Sequence, residues 1–122
     1  MENRQPILYV DDEEINLYIF EMLLNATFVV HKATSAQKAF EILDDHPEIK
    51  LVITDWSMPV MDGLTFARKA FEKYDDRKIM MLSAYVKTQE IDEALQDGVL
   101  EEYFSKPLDR ERFIERVSTM EL

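Results

Sequence analysis

The chain contains no cysteine, which removes disulfides, thiolate nucleophiles and cysteine-based zinc sites together. Basic residues are scarce: 14 lysines and arginines stand against 25 acidic residues, for a net charge of −11. Sequence-independent nucleic-acid binding requires clustered Lys and Arg to displace counterions, so no direct nucleic-acid contact is expected. An anionic membrane surface is disfavoured for the same reason. No apolar run approaches the roughly 18 residues of a spanning helix, and the opening Met1-Glu2-Asn3-Arg4-Gln5-Pro6 lacks the apolar core of a signal peptide. Internal repeats and low-complexity segments are also missing. A soluble cytoplasmic protein is the expectation. With 122 residues, 47% of them hydrophobic, the chain reads as one domain over 1–122, large enough to bury a core.

The stretch Leu51-Val52-Ile53-Thr54-Asp55 organises what is present. It reads as a strand buried on both faces that ends in a carboxylate. Two further strands have the same form: Ile7 to Val10 runs into Asp11-Asp12, and Ile79 to Leu82 runs into Ser83. Phe28 to His31 and a short segment near Glu102-Tyr103-Phe104 complete five strands. Between them lie helical patterns. The first spans Glu13 to Leu24, with Ile15, Ile19, Met22 and Leu23 at helical spacing; the second is capped by Thr34 or Ser35, with Ala36, Ala39, Phe40 and Leu43 on one face. The third carries Leu64, Ala67, Ala70 and Phe71 after Gly63; the fourth covers 88–97 and ends at Gly98; the last carries Phe113, Ile114 and Val117. Five strands alternating with five helices predict an α/β fold, a parallel sheet in order 2-1-3-4-5 with helices on both faces. The first and third strands are then neighbours. Their carboxyl ends bring Asp11, Asp12 and Asp55 together.

Carboxylates held that close repel unless a proton or cation offsets their charge. Mg2+ suits such a set, because it takes oxygen ligands, keeps waters and leaves positions for phosphate oxygens. A carboxylate is also a nucleophile for phosphoryl transfer, with Mg2+, Ser83 and Lys106 available to neutralise phosphoryl oxygens. Each piece has an ordinary alternative: acids at a helix start, a capping serine, a lysine–proline loop. What favours function is their coincidence at one edge of one sheet. Two readings remain at this point, a phosphorylation-dependent switch and a Mg2+-dependent phosphohydrolase with Asp55 as nucleophile.

The ordered set of Asp11-Asp12, Asp55, Met58-Pro59-Val60-Met61-Asp62-Gly63, Ser83-Ala84 and Lys106-Pro107 resembles the receiver domain of two-component response regulators, single-domain chemotaxis regulators among them, from about Ile7 to about Val117. The resemblance implies a flavodoxin-like fold and a phospho-accepting signalling switch of a phosphorelay rather than an enzyme. It implies that Asp55 accepts a phosphoryl group from a phosphohistidine of a sensor histidine kinase or histidine phosphotransfer protein. It gives Asp12 as a direct Mg2+ ligand, Asp11 as one acting through water, and Asp55 and the Ser57 carbonyl as further ligands. Ser83 and Lys106 would hold phosphoryl oxygens, and Ser83 with Tyr103 would form the switch. The bond before Pro107 is expected to be cis. A partner protein or effector domain, and a phosphorylation-dependent dimer, are further expectations.

Two departures stand out. Between Gly98 and Lys106 the chain is one residue longer than the common family pattern. Ser57 and Tyr85, which flank the site, offer no carboxylate or amide to orient water, so a phosphorylated lifetime of many minutes is expected. His31 and His46 show no partner at metal-ligand spacing and are read as structural or exposed. Trp56, next to the nucleophile, serves as a reporter.

Overall fold

The computed structural model describes residues 3–122. In chain order the elements are β1 (Gln5–Val10), α1 (Glu14–Leu24), β2 (Phe28–Ala33), α2 (Ala36–Asp45), β3 (Leu51–Thr54), α3 (Gly63–Lys73), β4 (Lys78–Ser83), α4 (Gln89–Gln96), β5 (Glu102–Ser105) and α5 (Arg110–Ser118). All neighbouring strands pair in parallel, in the order β2-β1-β3-β4-β5 that the alternation predicts. The register places Val10 beside both Ala33 and Thr54, so the residues that follow each of these strands share one edge.

Alternate side chains of the sheet feed two separate cores. Leu8, Val10, Val52, Ile79 and Met81 pack with Ala39 and Leu43 of α2, Phe66 and Ala67 of α3, and Ile91 and Ala94 of α4. Ile7, Tyr9, Leu51, Ile53, Met80 and Leu82 pack with Leu17, Phe20 and Leu24 of α1 and with Phe113 and Val117 of α5. The middles of the central strands, residues 7–10, 51–53 and 79–82, are therefore apolar on both faces, as a sheet covered on both sides favours.

The buried face of α1 differs from the expected one. Leu17, Phe20 and Leu24 point inward, while Ile15, Ile19 and Met22 are 59%, 48% and 59% exposed and Leu23 is 36% exposed. Both sets have helical spacing, so period alone did not choose between them. Aromatic packing did: Phe20 stacks on Tyr9 at 4.1 Å between ring centres and meets Phe113 edge-on at 6.0 Å, and large rings bury the most apolar area. Phe71 of α3 also lies outward. The other expected inward residues hold their places, with Phe40 and Leu95 packed at the rim of the larger core and Ile114 at the rim of the other.

Helix ends follow the sequence signals. Ser35 caps α2, its Oγ accepting from the Lys38 N–H at 3.2 Å, and Asp62 caps α3, accepting from the Thr65 N–H at 2.8 Å. Gly98 follows α4 at φ +79°, the left-handed conformation that favours glycine. After Gly98, Val99 and Leu100 are buried, and both their N–H groups donate to the Ala94 carbonyl. The stretch between Gly98 and β5 is thereby packed against the core, and Tyr103 sits on β5 in register with Met81. Arg77 is buried, a role its place in a turn did not announce. Its Nη2 donates to the carbonyls of Leu43 at 3.0 Å and His46 at 3.2 Å, closing the C-terminal end of α2, and its guanidinium lies 4.5 Å from the Tyr74 ring centre.

Candidate functional site

Three strand ends build the site. The Asp11 N–H donates to the Ala33 carbonyl at 3.0 Å and the Asp55 N–H to the Val10 carbonyl at 2.8 Å, so both acidic residues continue the ladder one step past their strands. Asp11, Asp12 and Asp55 each present a carboxylate oxygen, and the three oxygens lie within 4.8 Å of one another. Asp11 is fully buried and Asp55 is 7% exposed, whereas Asp12 faces solvent. The convergence inferred from the strand tips is present.

Lys106 reaches the same point from the loop after β5. Its Nζ is 3.1 Å from Asp11 Oδ2 and 3.4 Å from Asp55 Oδ1. Its backbone N–H donates to the Ser83 carbonyl at 2.9 Å, which ties the lysine to the end of β4. The Lys106-Pro107 peptide bond is cis, as expected. Asp11 accepts three donors: the Tyr9 hydroxyl at 2.7 Å, Lys106 Nζ, and the Glu13 N–H at 3.0 Å. Asp55 Oδ1 accepts the Trp56 N–H at 2.9 Å. Burial pushes the Asp55 carboxyl above its ordinary range and Asp11 adds to the rise, while Lys106 and the Trp56 N–H oppose it.

Tyr9 is a contributor that the reading of strand tips missed. It precedes Asp11 by two residues on one strand, so period-two alternation puts both side chains on the same face, and that is the signal that could have found it. Burial first, and the carboxylate of Asp11 second, push its hydroxyl far above the ordinary phenol range, so it remains a donor.

Ser83 ends β4 fully buried, with its Oγ accepting the Tyr85 N–H at 3.1 Å. The Tyr85 carbonyl in turn accepts the Tyr103 hydroxyl. Ser83 and Tyr103 are thus joined through the peptide groups of residue 85. Ser57 lies in the loop after β3 and, with Trp56, Met58, Asp62, Tyr85, Val86 and Thr88, lines a mostly apolar cleft of about 600 Å³. Trp56 meets Tyr85 edge-on at 6.3 Å across that cleft.

The loop between β3 and α3 carries a strained residue. Val60 has φ +70° and is fully exposed, and the Met61 N–H donates to the Pro59 carbonyl at 2.8 Å, closing a three-residue turn around it. A β-branched residue at positive φ costs about 1–3 kcal/mol. Val60→Gly is expected to recover that strain less the roughly 0.5–1 kcal/mol that glycine adds in chain entropy. Thermal unfolding should show a Tm raised by a few degrees; an unchanged or lower Tm would contradict the strain.

The donor set fits a small divalent cation. Three carboxylates face one ammonium, and Asp12 and Asp55 keep oxygens that no neighbour among the described residues occupies, whereas Asp11 is committed to Tyr9, Lys106 and the Glu13 N–H. Oxygen donors at partial burial with a charge deficit are the features that hard cations select. No helix among the described residues is long and apolar enough to cross a membrane.

Comparison with known proteins agrees with this geometry. The family model described as the response regulator receiver domain matches residues 7–118. Two-component response regulator ORR4 of Oryza sativa subsp. indica is 33% identical over 129 residues, covering 88% of this chain and 55% of that protein. A chemotaxis protein CheY homolog of Campylobacter jejuni is 36% identical over 80 residues, covering 64% of this chain and 61% of that protein. The chain therefore spans less than two thirds of the length of these curated relatives. Among solved structures, the signal receiver domain of an HD domain-containing protein from Pseudomonas fluorescens Pf-5 superposes with a TM-score of 0.84 at 28% identity, covering 95% of this chain and 93% of that one. The CheX-CheY-BeF3-Mg complex from Borrelia burgdorferi gives 0.84 at 28% identity, covering 93% and 87%. A parallel sheet in this order, an acidic cluster at its carboxyl edge that fits a phosphorylation site, and a family match over nearly the whole chain lead to one conclusion: this chain belongs to the response regulator receiver domain family.

Proposed function

We propose that Asp55 accepts a phosphoryl group from a phosphohistidine of a partner kinase or phosphotransfer protein, with Mg2+ held by Asp12, Asp55 and the Ser57 carbonyl and with Asp11 acting through water. The observation that carries this reading is the position of Lys106 Nζ, 3.1 Å from Asp11 and 3.4 Å from Asp55. A cation fixed between those carboxylates is aimed at whatever anion bonds to Asp55. Bound Mg2+ would neutralise the charge on the phosphoryl oxygens and so help hold phosphorus within reach of the nucleophile.

In the reaction an Asp55 oxygen attacks phosphorus, forming a P–O bond as the P–N bond of the donor breaks. The electron pair leaves with the imidazole nitrogen. Lys106 then pairs with a phosphoryl oxygen, and Ser83 donates its hydroxyl to another. For Ser83 to turn inward it must give up the Tyr85 N–H. That frees the loop whose carbonyl anchors Tyr103, so the acyl phosphate biases the position of a side chain on β5. Ser57 and Tyr85 line the cleft beside Asp55 and bring no carboxylate or amide to orient water, which supports a phosphorylated lifetime of many minutes.

We assign the phosphodonor to the exposed apolar stripe of α1. A groove of about 340 Å³ lined by Asn16, Ile19, Leu23, Lys106, Pro107 and Leu108 runs from that stripe to the site itself. A partner docked there would bring its histidine to the acidic edge. The experiment for the whole reading is incubation with Mg2+ and acetyl phosphate, followed by intact mass and Trp56 fluorescence. Wild type should gain one phosphoryl group and Asp55→Asn none; an adduct of equal yield in Asp55→Asn would reject the assignment.

A further inference from the structure

The only two histidines of the chain are far apart in sequence and lack helical metal-ligand spacing, yet the fold brings their rings together. His31 lies on the edge strand β2, paired with Leu8 and so directed to the face that α2 covers. His46 is the residue at which α2 ends. The ring centres are 5.0 Å apart with the planes inclined at 44°. Both residues are partly accessible to solvent. Beside them, His46 Nδ1 is 3.0 Å from Glu48 Oε2.

We propose that His31 and His46 form a bis-imidazole site for a transition-metal ion of the zinc class, with Glu48 as the carboxylate that orients His46. The separation of the rings is the first argument. An imidazole nitrogen about 2.0–2.1 Å from zinc puts its ring centre about 3.2 Å from the ion, so two rings on one tetrahedral ion have centres about 5 Å apart. The second argument is the tautomer. An ionised carboxylate only accepts hydrogen bonds, so the neutral His46 ring facing Glu48 carries its proton on Nδ1 and presents the Nε2 lone pair. A carboxylate behind a ligating histidine is the usual means of fixing its orientation and raising its basicity.

Rigidity is the third. His31 is held in the β1–β2 ladder, and the His46 carbonyl accepts Arg77 Nη2 at 3.2 Å, so the two ligands hang from independently anchored backbone. Water would complete the coordination. Imidazole donors suit Zn2+, Ni2+ and Cu2+, whereas Mg2+ prefers the oxygen set at the other site. The pair lies where α2 runs out, away from the carboxyl-edge aspartates that precede α1 and follow β3. A bound ion would clasp the sheet's edge strand to the α2–β3 connection.

The test is titration of the full chain with ZnCl2, with Mg2+ in excess to occupy the carboxylates. Calorimetry should show one saturable Zn2+ per chain, and the ring resonances of both histidines should move together in NMR spectra of the wild type. His31→Gln and His46→Gln should each abolish the saturable heat, with circular dichroism confirming that they fold. Glu48→Gln should weaken binding about 10–100-fold. No saturable Zn2+ binding, binding unchanged in both histidine variants, or binding lost in Asp12→Asn while surviving in His31→Gln would each overturn the proposal.

Discussion

Replacing Lys106 with methionine should lower the Tm of the Mg2+-free protein and enlarge the rise that Mg2+ produces. Among the described residues, Lys106 Nζ is the one ammonium that bridges Asp11, which is fully buried, and Asp55, which is nearly so. Removing one partner of a buried ion pair leaves the other charge without compensation, at a cost of about 3–5 kcal/mol. The lysine side chain is 22% exposed, so water reaches it and the low end of that range applies. Methionine keeps the length and apolar body of the lysine stem, so the change reports on charge. Mg2+ supplies the missing positive charge, and a ligand that binds only the folded state stabilises it by an amount that grows with the logarithm of its affinity. The variant should therefore bind Mg2+ more tightly than wild type while losing the group proposed to pair with the phosphoryl oxygen. Adduct formation from acetyl phosphate should slow by about 10²-fold or more. Differential scanning calorimetry across a Mg2+ series decides the matter: a Mg2+-dependent rise smaller than that of wild type would show that Lys106 is not the site's counterion.

Gly63→Ala should be as damaging for a different reason. A Cβ at Gly63 would lie 1.8 Å from the Asp55 carbonyl oxygen, 2.8 Å from its carbon and 3.0 Å from Trp56 Cα. All three are backbone atoms, so no side-chain rotation relieves the clash. The Gly63 N–H also donates to the Trp56 carbonyl at 2.7 Å, which seats the first turn of α3 on the residues beside Asp55. Alanine must push that turn away, and such overpacking costs about 3 kcal/mol or more. Any surviving folded protein should carry Asp55 off its line, and a displacement of about 1 Å can cost about 10²-fold in rate. Gly98→Ala is the control. Gly98 is at φ +79° with none of the described residues within 4 Å of its absent Cβ, so alanine there adds only the left-handed penalty of about 1–2 kcal/mol. Urea unfolding of both variants should rank Gly63→Ala as the more destabilised, and the reverse order would contradict the packing argument.

The sheet was legible because both faces are covered. Residues 7–10, 51–53 and 79–82 are apolar without interruption, and each run leads into a residue that carries chemistry, the central one after a single buried threonine. Alternation with helical patterns then left few orders for the strands, and Asp11, Asp12, Asp55 and Lys106 could be gathered at one edge from the sequence. The face of α1 was not legible, since the helix is apolar on two sides and only the Phe20 stack on Tyr9 says which one is covered. The bond from Tyr9 to Asp11 went unread because Tyr9 passed as one more apolar residue of a strand. The histidine pair escaped for a topological reason. His31 and His46 belong to different elements, and their approach depends on where α2 ends against β2.

The link from Ser83 to Tyr103 uses nothing of residue 85 except its amide and carbonyl. Nineteen residue types could stand there and keep both groups; proline alone, having no N–H, would break the wire. An alphabet of side chains is blind to such a conductor. Relatives that differ completely at this position can therefore share the same wiring, and a scan of substitutions at 85 should leave the coupling of Ser83 to Tyr103 intact everywhere except at one imino acid, even where the loss of the ring against Trp56 alters the cleft and the phosphorylated lifetime.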